Sequence, residues 1–167
     1  MENPYEAPNS RIEVPISTDT ELAERSARFG AAFIDGVIMI AILFPAQYMS
    51  GYWQHLMEAA KAGQRPSFGM AMLWTVISVA IFIAIQGVPL VKSSQTWGKK
   101  ACSIKIVALN GTKPTIQQLA TRYGVYLLLA RIPYVGPLAS LVNICLIFRS
   151  DRRCGHDLAA GTRVVMV

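Results

Sequence analysis

The most constraining feature of this chain is a long apolar run that contains an acid. The run extends from Ser26 to Met49, SARFGAAFIDGVIMIAILFPAQYM, with Arg28 near its start and Asp35 inside it. A bilayer's hydrocarbon core is about 30 Å thick, so a helix needs about 20 apolar residues to cross it. The run is long enough to span a membrane. A carboxylate at such depth costs about 2.5–3.5 kcal/mol, so we expect Asp35 to face a partner or a wet cavity.

Composition supports a membrane protein. The 167 residues are 53% hydrophobic and only 16% charged, whereas about 25% of residues are charged in an ordinary soluble domain. The formal net charge is +6, but the basic residues form short blocks beside apolar runs. This arrangement is typical of loops that set membrane topology next to anionic lipids, and it does not favour nucleic-acid binding.

The hydropathy pattern predicts one membrane domain over residues 21–167. Four segments are candidate spans: residues 27–49, 69–91, 116–131 and 134–149. The last two together are shorter than the roughly 40 residues that two full spans need, so they are predicted to be short, tilted or re-entrant. The predicted fold class is an all-α integral membrane protein with about four transmembrane or re-entrant helices.

The segments outside these spans predict which side of the membrane they occupy. Residues 1–20 hold three prolines and no apolar period, which predicts a disordered cytosolic tail. Thr18 or Thr20 is a candidate cap for a helix that leads into the first span. Residues 92–115 contain five lysines and no acid. Short loops rich in lysine stay in the cytosol, which predicts that both termini are cytosolic too.

Two short segments have the character of strands. In residues 102–109 the hydropathy of the side chains alternates, and residues 162–167, TRVVMV, are also typical of a strand. Asn110-Gly111 is a strong signal for a tight turn or hairpin. We therefore expect a small cytosolic β-hairpin, or a small cytosolic sheet that the two segments form together.

Polar residues at membrane depth are few. Arg28 and Asp35 share a helix face but lie about 10 Å apart along the axis, so they cannot pair directly. We expect Asp35 to face Arg122, or a polar stripe on the second span. The full set of candidates for lining a pathway is Thr75, Ser78, Gln86 and Asn143.

This polar centre has three interpretations. Asp35 is part of a buried network that fixes helix register, or it is a cation or proton site on a path through the bundle. The third interpretation is a site for lipid or a protein partner. Small residues around Asp35 favour close helix packing, including a homo-oligomer.

Enzyme chemistry is not predicted. The sequence has no nucleophile elbow, triad signature or P-loop. Cys154-Gly155-His156-Asp157 has too few ligands for a metal centre, so neither a metal nor a cofactor is expected. Asp157 is instead expected to cap or staple the C-terminal segment and to meet an arginine.

Several separated motifs together resemble the RDD family of small bacterial membrane proteins. They are Arg28 with Asp35, the segment SQTWGKKACSIKIVALNGTKPT, Arg122, and the closing GHDLAAGTRVVMV. The family is named for an arginine and two aspartates, which by position implies Arg28, Asp35 and Asp157. The resemblance implies a multi-pass protein of the bacterial inner (cytoplasmic) membrane. For some members it suggests transport, including sodium/proton exchange.

Two functions are therefore carried forward. The first is transport of a small solute or cation, in its own right or as an accessory, with Asp35 as the charged site. The alternative is a non-catalytic membrane scaffold or assembly factor that binds lipid, or a protein partner through residues 1–20 or the cytosolic sheet.

Overall fold

The protein is mostly helical with one small sheet. A computed structural model describes residues 21–131 and 135–167. The elements in chain order are α1 (Arg25–Met49), α2 (Tyr52–Lys61), α3 (Phe68–Ser93), α4 (Trp97–Ala101), β1 (Ile104–Ala108), α5 (Ile116–Arg131), α6 (Val135–Cys145), a 3₁₀ turn (Leu146–Phe148), α7 (Gly155–Ala160) and β2 (Thr162–Met166).

Two helices, α1 and α3, are long and apolar enough to cross a membrane. Only 6% of the apolar window of each helix is buried, whereas the core helix of a soluble protein is mostly buried. On α1 the exposed apolar residues recur at intervals of three or four, which places them on one face. They are Phe29, Phe33, Val37, Ile40 and Phe44. Such a continuous apolar face is suited to lipid.

The two strand-like segments pair with each other. β1 and β2 are antiparallel, in register from Ile104 opposite Met166 to Ala108 opposite Thr162. This confirms the small sheet that the two segments were expected to form together. Of the two structures that Asn110-Gly111 predicts, the tight turn is the one observed: Gly111 has φ +81° and donates its amide to the Ala108 carbonyl at 2.9 Å.

The first helix begins later than the expected cap at Thr18 or Thr20. Leu22 forms a β-bridge with Val165, and the Met166 amide donates to the Glu21 carbonyl. Residues 21–23 thus extend the sheet, and α1 starts at Arg25. Pairing with β2 gives these amides and carbonyls hydrogen-bond partners. In an added first turn of α1 the amides would have no partner within the helix. The predicted disordered tail, residues 1–20, lies outside the described residues.

Helices α5 and α6, which correspond to the third and fourth predicted spans, are short. At 1.5 Å per residue, the 16 residues of α5 extend about 24 Å and the 11 of α6 about 17 Å. Both lengths are below the 30 Å or so of a bilayer core. Among the described residues only α1 and α3 are long enough to span, so the count of four spans stays a prediction.

A small layer of short elements covers the start of α1 and the end of α3. We call it the cap layer: residues 21–24, α4, β1, α7 and β2. Its apolar core contains Ile104, Ile106 and Val164, which pack with Ala23, Ala31, Leu90 and Leu119. The cap layer therefore joins three distant parts of the chain at the end of the molecule where α1 begins and α3 finishes.

The cap layer replaces a helical hydrogen bond that a proline removes from α3. Pro89 has no amide hydrogen, so the carbonyl of Ile85, four residues earlier, loses its helical partner. The indole Nε1 of Trp97 donates to that carbonyl at 3.0 Å. The first residue of α4 thus restores a hydrogen bond that α3 lacks.

Replacing Trp97 by Phe should lower the free energy of unfolding by about 1 kcal/mol, because the Ile85 carbonyl loses its donor. In a Pro89→Ala background the same replacement should cost clearly less, since the introduced alanine supplies an amide to that carbonyl. Thermal or denaturant unfolding in detergent micelles measures this double-mutant cycle. Trp53→Phe, in α2, is the matched control and should change stability by less than about 0.5 kcal/mol. Equal costs in both backgrounds would refute the assignment.

Candidate functional site

The first carboxylate of the site, Asp35, is half-buried and binds the start of α4. Its oxygens accept hydrogen bonds from the Thr96 hydroxyl, from the Gly98 amide at 2.8 Å and from the Gln86 side-chain amide at 3.0 Å. The Lys99 ammonium lies 3.9 Å away. Asp35 is therefore surrounded by donors from α3 and from the segment that follows it.

The first three amides of α4 all find side-chain acceptors. The Trp97 amide donates to Gln86 Oε1 at 2.9 Å, the Gly98 amide to Asp35, and the Lys99 amide to the Thr96 hydroxyl at 3.4 Å. The first amides of a helix have no partner within it, and the partial positive charge there favours an acid. Side chains of α1 and α3 thus complete α4.

Gly98 permits this close approach. A Cβ at this position would lie 2.1 Å from the Ala31 carbonyl oxygen and 2.9 Å from the Asp35 carboxylate. Both obstacles belong to α1, and one is backbone. Only glycine lets α4 lie directly on α1 with its amide aimed at the acid.

The second carboxylate of the site, Asp157, binds two arginines. Arg28 donates to its Oδ2 at 2.6 Å, and Arg122 donates to its Oδ1. The Thr162 hydroxyl, at 3.3 Å, and the Cys154 amide, at 3.1 Å, add two further hydrogen bonds. The side chain of Asp157 is fully buried, and those of the arginines are 8% and 5% exposed.

Short-range structure places Asp157 for this role. It is the third residue of α7 and accepts the amide of the capping residue Cys154. Arg28 also donates to the Arg152 carbonyl, and Arg122 also donates to the Thr162 hydroxyl at 3.1 Å. One carboxylate thus ties together α1, α5, α7 and the start of β2. Losing one partner of such a buried group leaves a charge uncompensated.

His156 adjoins this centre but stays neutral. Its amide donates to Asn143 Oδ1 at 2.8 Å, and its Nδ1 lies 3.2 Å from the same oxygen. Burial, followed by the positive charges of Arg122, Arg28 and Lys99, lowers the pKa of His156 to about 2. Asp157 is 3.8 Å from the ring, but two guanidinium groups already neutralise its charge. Burial also raises the pKa of the Cys154 thiol.

Cys154, His156 and Asp157 resemble a metal-binding group only in their spacing. Their ligand atoms lie within 4.8 Å of one another. However, the Asp157 oxygens are occupied by two arginines, and a third cation would face both positive charges. The donor set therefore fits a protein-internal network better than a metal.

Some of the residues that the sequence analysis named lie at the Asp35 centre, and others lie at the Asp157 centre. Arg28 and Asp35 do not meet, in agreement with their helical spacing, and Gln86 is the member of the polar stripe that contacts Asp35. Of the two expected partners of Asp35, the polar stripe is the one observed, through Gln86. Arg122, the other expected partner, contacts Asp157 instead. The physical reason is position along the helix: Arg122 lies in the first two turns of α5, beside α7, while α4 occupies the space around Asp35.

The other candidates for lining a pathway have local partners. Thr75 and Ser78 donate to carbonyls of their own helix, those of Ala71 and Trp74. Asn143 binds the backbone of His156 and so links α6 to α7. None of these three contacts Asp35 in the part of the chain that the structure describes.

The comparison with known families bears on these centres. The RDD family model matches residues 22–161. The chain belongs to the RDD family. This RDD protein is also 30% identical over 138 residues to the uncharacterised protein YckC of Bacillus subtilis (strain 168), a match that covers 82% of this chain and 80% of YckC. No solved structure matches.

Sequence reasoning did not assign site roles to several residues of these centres in the RDD protein. Thr96, Gly98 and Lys99 were noted only as part of the family motif, and Thr162 only as part of a strand. A local signal exists for the first group, because a threonine before Trp-Gly-Lys is a candidate helix cap. No local signal links Thr162 to Arg122, which lies 40 residues earlier.

Replacing Asp157 by Asn should destabilise the protein by about 3–5 kcal/mol. The reason is that Arg28 and Arg122 would stay buried without the carboxylate that pairs with both of them. Unfolding in detergent micelles measures the loss. Asp151→Asn is the matched control, since its ion pair with Arg149 is exposed, and it should cost less than about 1 kcal/mol. A loss below about 1 kcal/mol for Asp157→Asn would contradict the assigned role.

His156 predicts acid sensitivity. Its pKa is about 2 when folded, against 6.5 ordinarily, so below pH 6.5 the unfolded chain binds a proton that the folded chain does not. At pH 5.5 this lowers the free energy of unfolding by about 1.4 kcal/mol. His156→Gln should therefore show a smaller fall in melting temperature between pH 7.5 and 5.5 than the wild type. His55→Gln should keep the wild-type fall, and equal falls in all three proteins would rule out His156 as the cause.

Proposed function

We propose that this RDD-family protein is a non-catalytic scaffold of the bacterial cytoplasmic membrane. The observation that carries the proposal is that both carboxylates are bound by several donors from the chain itself. Asp35 has three hydrogen-bond donors, and Asp157 has two arginines, a hydroxyl and an amide. Groups held in this way stabilise an architecture and present the cap layer as a rigid unit.

The shared sheet supports a multi-pass topology. Residues 21–23 and β1 both pair with β2, which brings together the start of α1, the end of α3 and the C-terminal strand. In our proposal these three parts share one side of the membrane. In our proposal α1 and α3 cross the bilayer, and α5 and α6 form a short pair that enters and returns. The five lysines of residues 92–115 favour the cytosol for this side, and hence for both termini.

The proposed scaffold binds lipid and a protein partner, not nucleic acid. The partner would engage the outer surface of the cap layer or residues 1–20. Oligomerisation through the exposed apolar faces of α1 and α3 is compatible with this role.

Transport of a small solute or cation is the second candidate, and one observation favours it. The side chains of Asp35 and Lys99 retain 17% and 14% exposure, and their charged atoms lie 3.9 Å apart. A cation that displaced the Lys99 ammonium would reach an acid that is not completely enclosed.

Reconstitution separates the two candidates. The scaffold predicts that liposomes containing the protein show no cation flux driven by a pH gradient beyond that of empty liposomes. A flux that Asp35→Asn abolishes, while Asp151→Asn leaves it intact, would overturn the scaffold and establish transport.

Co-purification supplies the positive measurement. The scaffold predicts that a reproducible partner purifies with the protein from native membranes, and that deleting residues 1–20 or disrupting the cap layer with Gly98→Leu removes it. Gly124→Leu is the control for the second change, because nothing lies within 4 Å of a Cβ at Gly124. A partner list indistinguishable from that of an unrelated membrane protein would count against the scaffold.

A further inference from the structure

A basic crevice lies where the end of α3 meets the outer side of β1 and the turn that follows it. Its volume is about 220 Å³. It is lined by Lys92, Ser93, Ser94, Lys105, Val107 and Lys113, together with Ile106 and Gly111. Each of three separate elements thus contributes one lysine to the same cavity.

The crevice holds unbalanced positive charge. Its lining includes three lysines and no acid. Among residues 21–131 and 135–167, Lys92, Lys105 and Lys113 form no ion pair. The two acids of the candidate site, Asp35 and Asp157, are already bound by other donors. Three like charges facing one cavity attract an anion.

Backbone hydrogen bonds hold the walls of the crevice in place. Ser94 ends α3 in a left-handed conformation, with φ +58°, and its carbonyl accepts the Ile106 amide at 2.9 Å. This joins the α3 wall to β1. The Ala108 amide donates to the Thr112 carbonyl at 2.9 Å, which fixes the turn that carries Lys113. The lysines therefore project from a preformed frame.

The end of α3 itself opposes an anion only weakly. A helix carries about half a negative charge at its C-terminus, against three full positive charges on the lysines. The Ser93 hydroxyl is used within the helix, since it donates to the Pro89 carbonyl at 2.7 Å. Lysine charge is therefore the main attraction that the crevice offers.

We propose that this crevice binds a phosphate group, as a phosphate diester or monoester. Lysine is a common binder of phosphate oxygens, as a compact point charge. At about 30 Å³ per water, the cavity has room for about seven water-sized groups, which accommodates a phosphate with part of a glycerol. Lys92 lies in the last turn of α3, a helix that we propose to span the bilayer, so the crevice faces the level of lipid headgroups. The lipid source rests on that membrane topology and not on the scaffold role.

Lipid binding to the purified full-length protein tests the site. Native mass spectrometry in a neutral detergent would measure the dissociation constants of phosphatidylglycerol, which is anionic, and of phosphatidylcholine, which is zwitterionic. Lys92→Gln/Lys105→Gln should weaken phosphatidylglycerol binding at least about tenfold. The matched control Lys61→Gln/Lys100→Gln removes the same charge elsewhere and should weaken it by about twofold or less. Lys92→Arg/Lys105→Arg, which keeps the charge, should retain binding and so exclude misfolding as the cause.

The outcomes have distinct meanings. If both glutamine variants weaken phosphatidylglycerol binding equally, diffuse surface charge explains the binding and the proposed site is wrong. Equal affinity of the wild type for both lipids would also overturn the proposal. A parallel titration with inorganic phosphate and glycerol 3-phosphate identifies the source. Saturation of the crevice by either at micromolar concentration, with the same variant pattern, would assign it to a free phosphate compound. Saturation by phosphatidylglycerol alone would assign it to lipid. None of these results depends on flux or on a protein partner.

Discussion

The structure depends on one geometric constraint within α1. Arg28 and Asp35 lie on one face of this helix but about two turns apart, so neither can neutralise the other. Each must find its partner in another part of the chain. Arg28 binds Asp157 in α7, and Asp35 binds the start of α4. The cap layer is therefore attached to α1 at two points, one for each charge.

These two attachments differ in kind. Asp35 completes a short helix by accepting an amide that has no partner within α4, and the missing side chain of Gly98 makes the approach possible. Asp157 instead pairs with two buried guanidinium groups, which is stabilising only while all three groups are present. Arg28 and Asp157 are 129 residues apart, so this second attachment closes only when the C-terminal segment joins the layer.

Much of this arrangement follows from local sequence. The length and composition of the apolar runs predicted α1 and α3, and alternation predicted the segments of β1 and β2. Helical spacing alone predicted that Arg28 and Asp35 would not pair, and Gln86 was among the expected partners of Asp35. What the sequence left open concerns pairing across long separations. Asp35 was expected to face either Arg122 or the polar stripe of α3. Asn110-Gly111 predicted either a hairpin or a tight turn, because a strong turn signal does not reveal whether a distant strand competes for the same edge.

The sequence by itself thus determined which segments are apolar, which residues carry charge within those segments, and that the charges on α1 need outside partners. Only the tertiary structure decided which partners they have: α4 for Asp35, and Asp157 with Arg122 for the Arg28 centre. It also brought Lys92, Lys105 and Lys113 to one crevice. The physical reason is that helix period and hydropathy act over a few residues, whereas the neighbours of a buried charge are set by how distant segments pack.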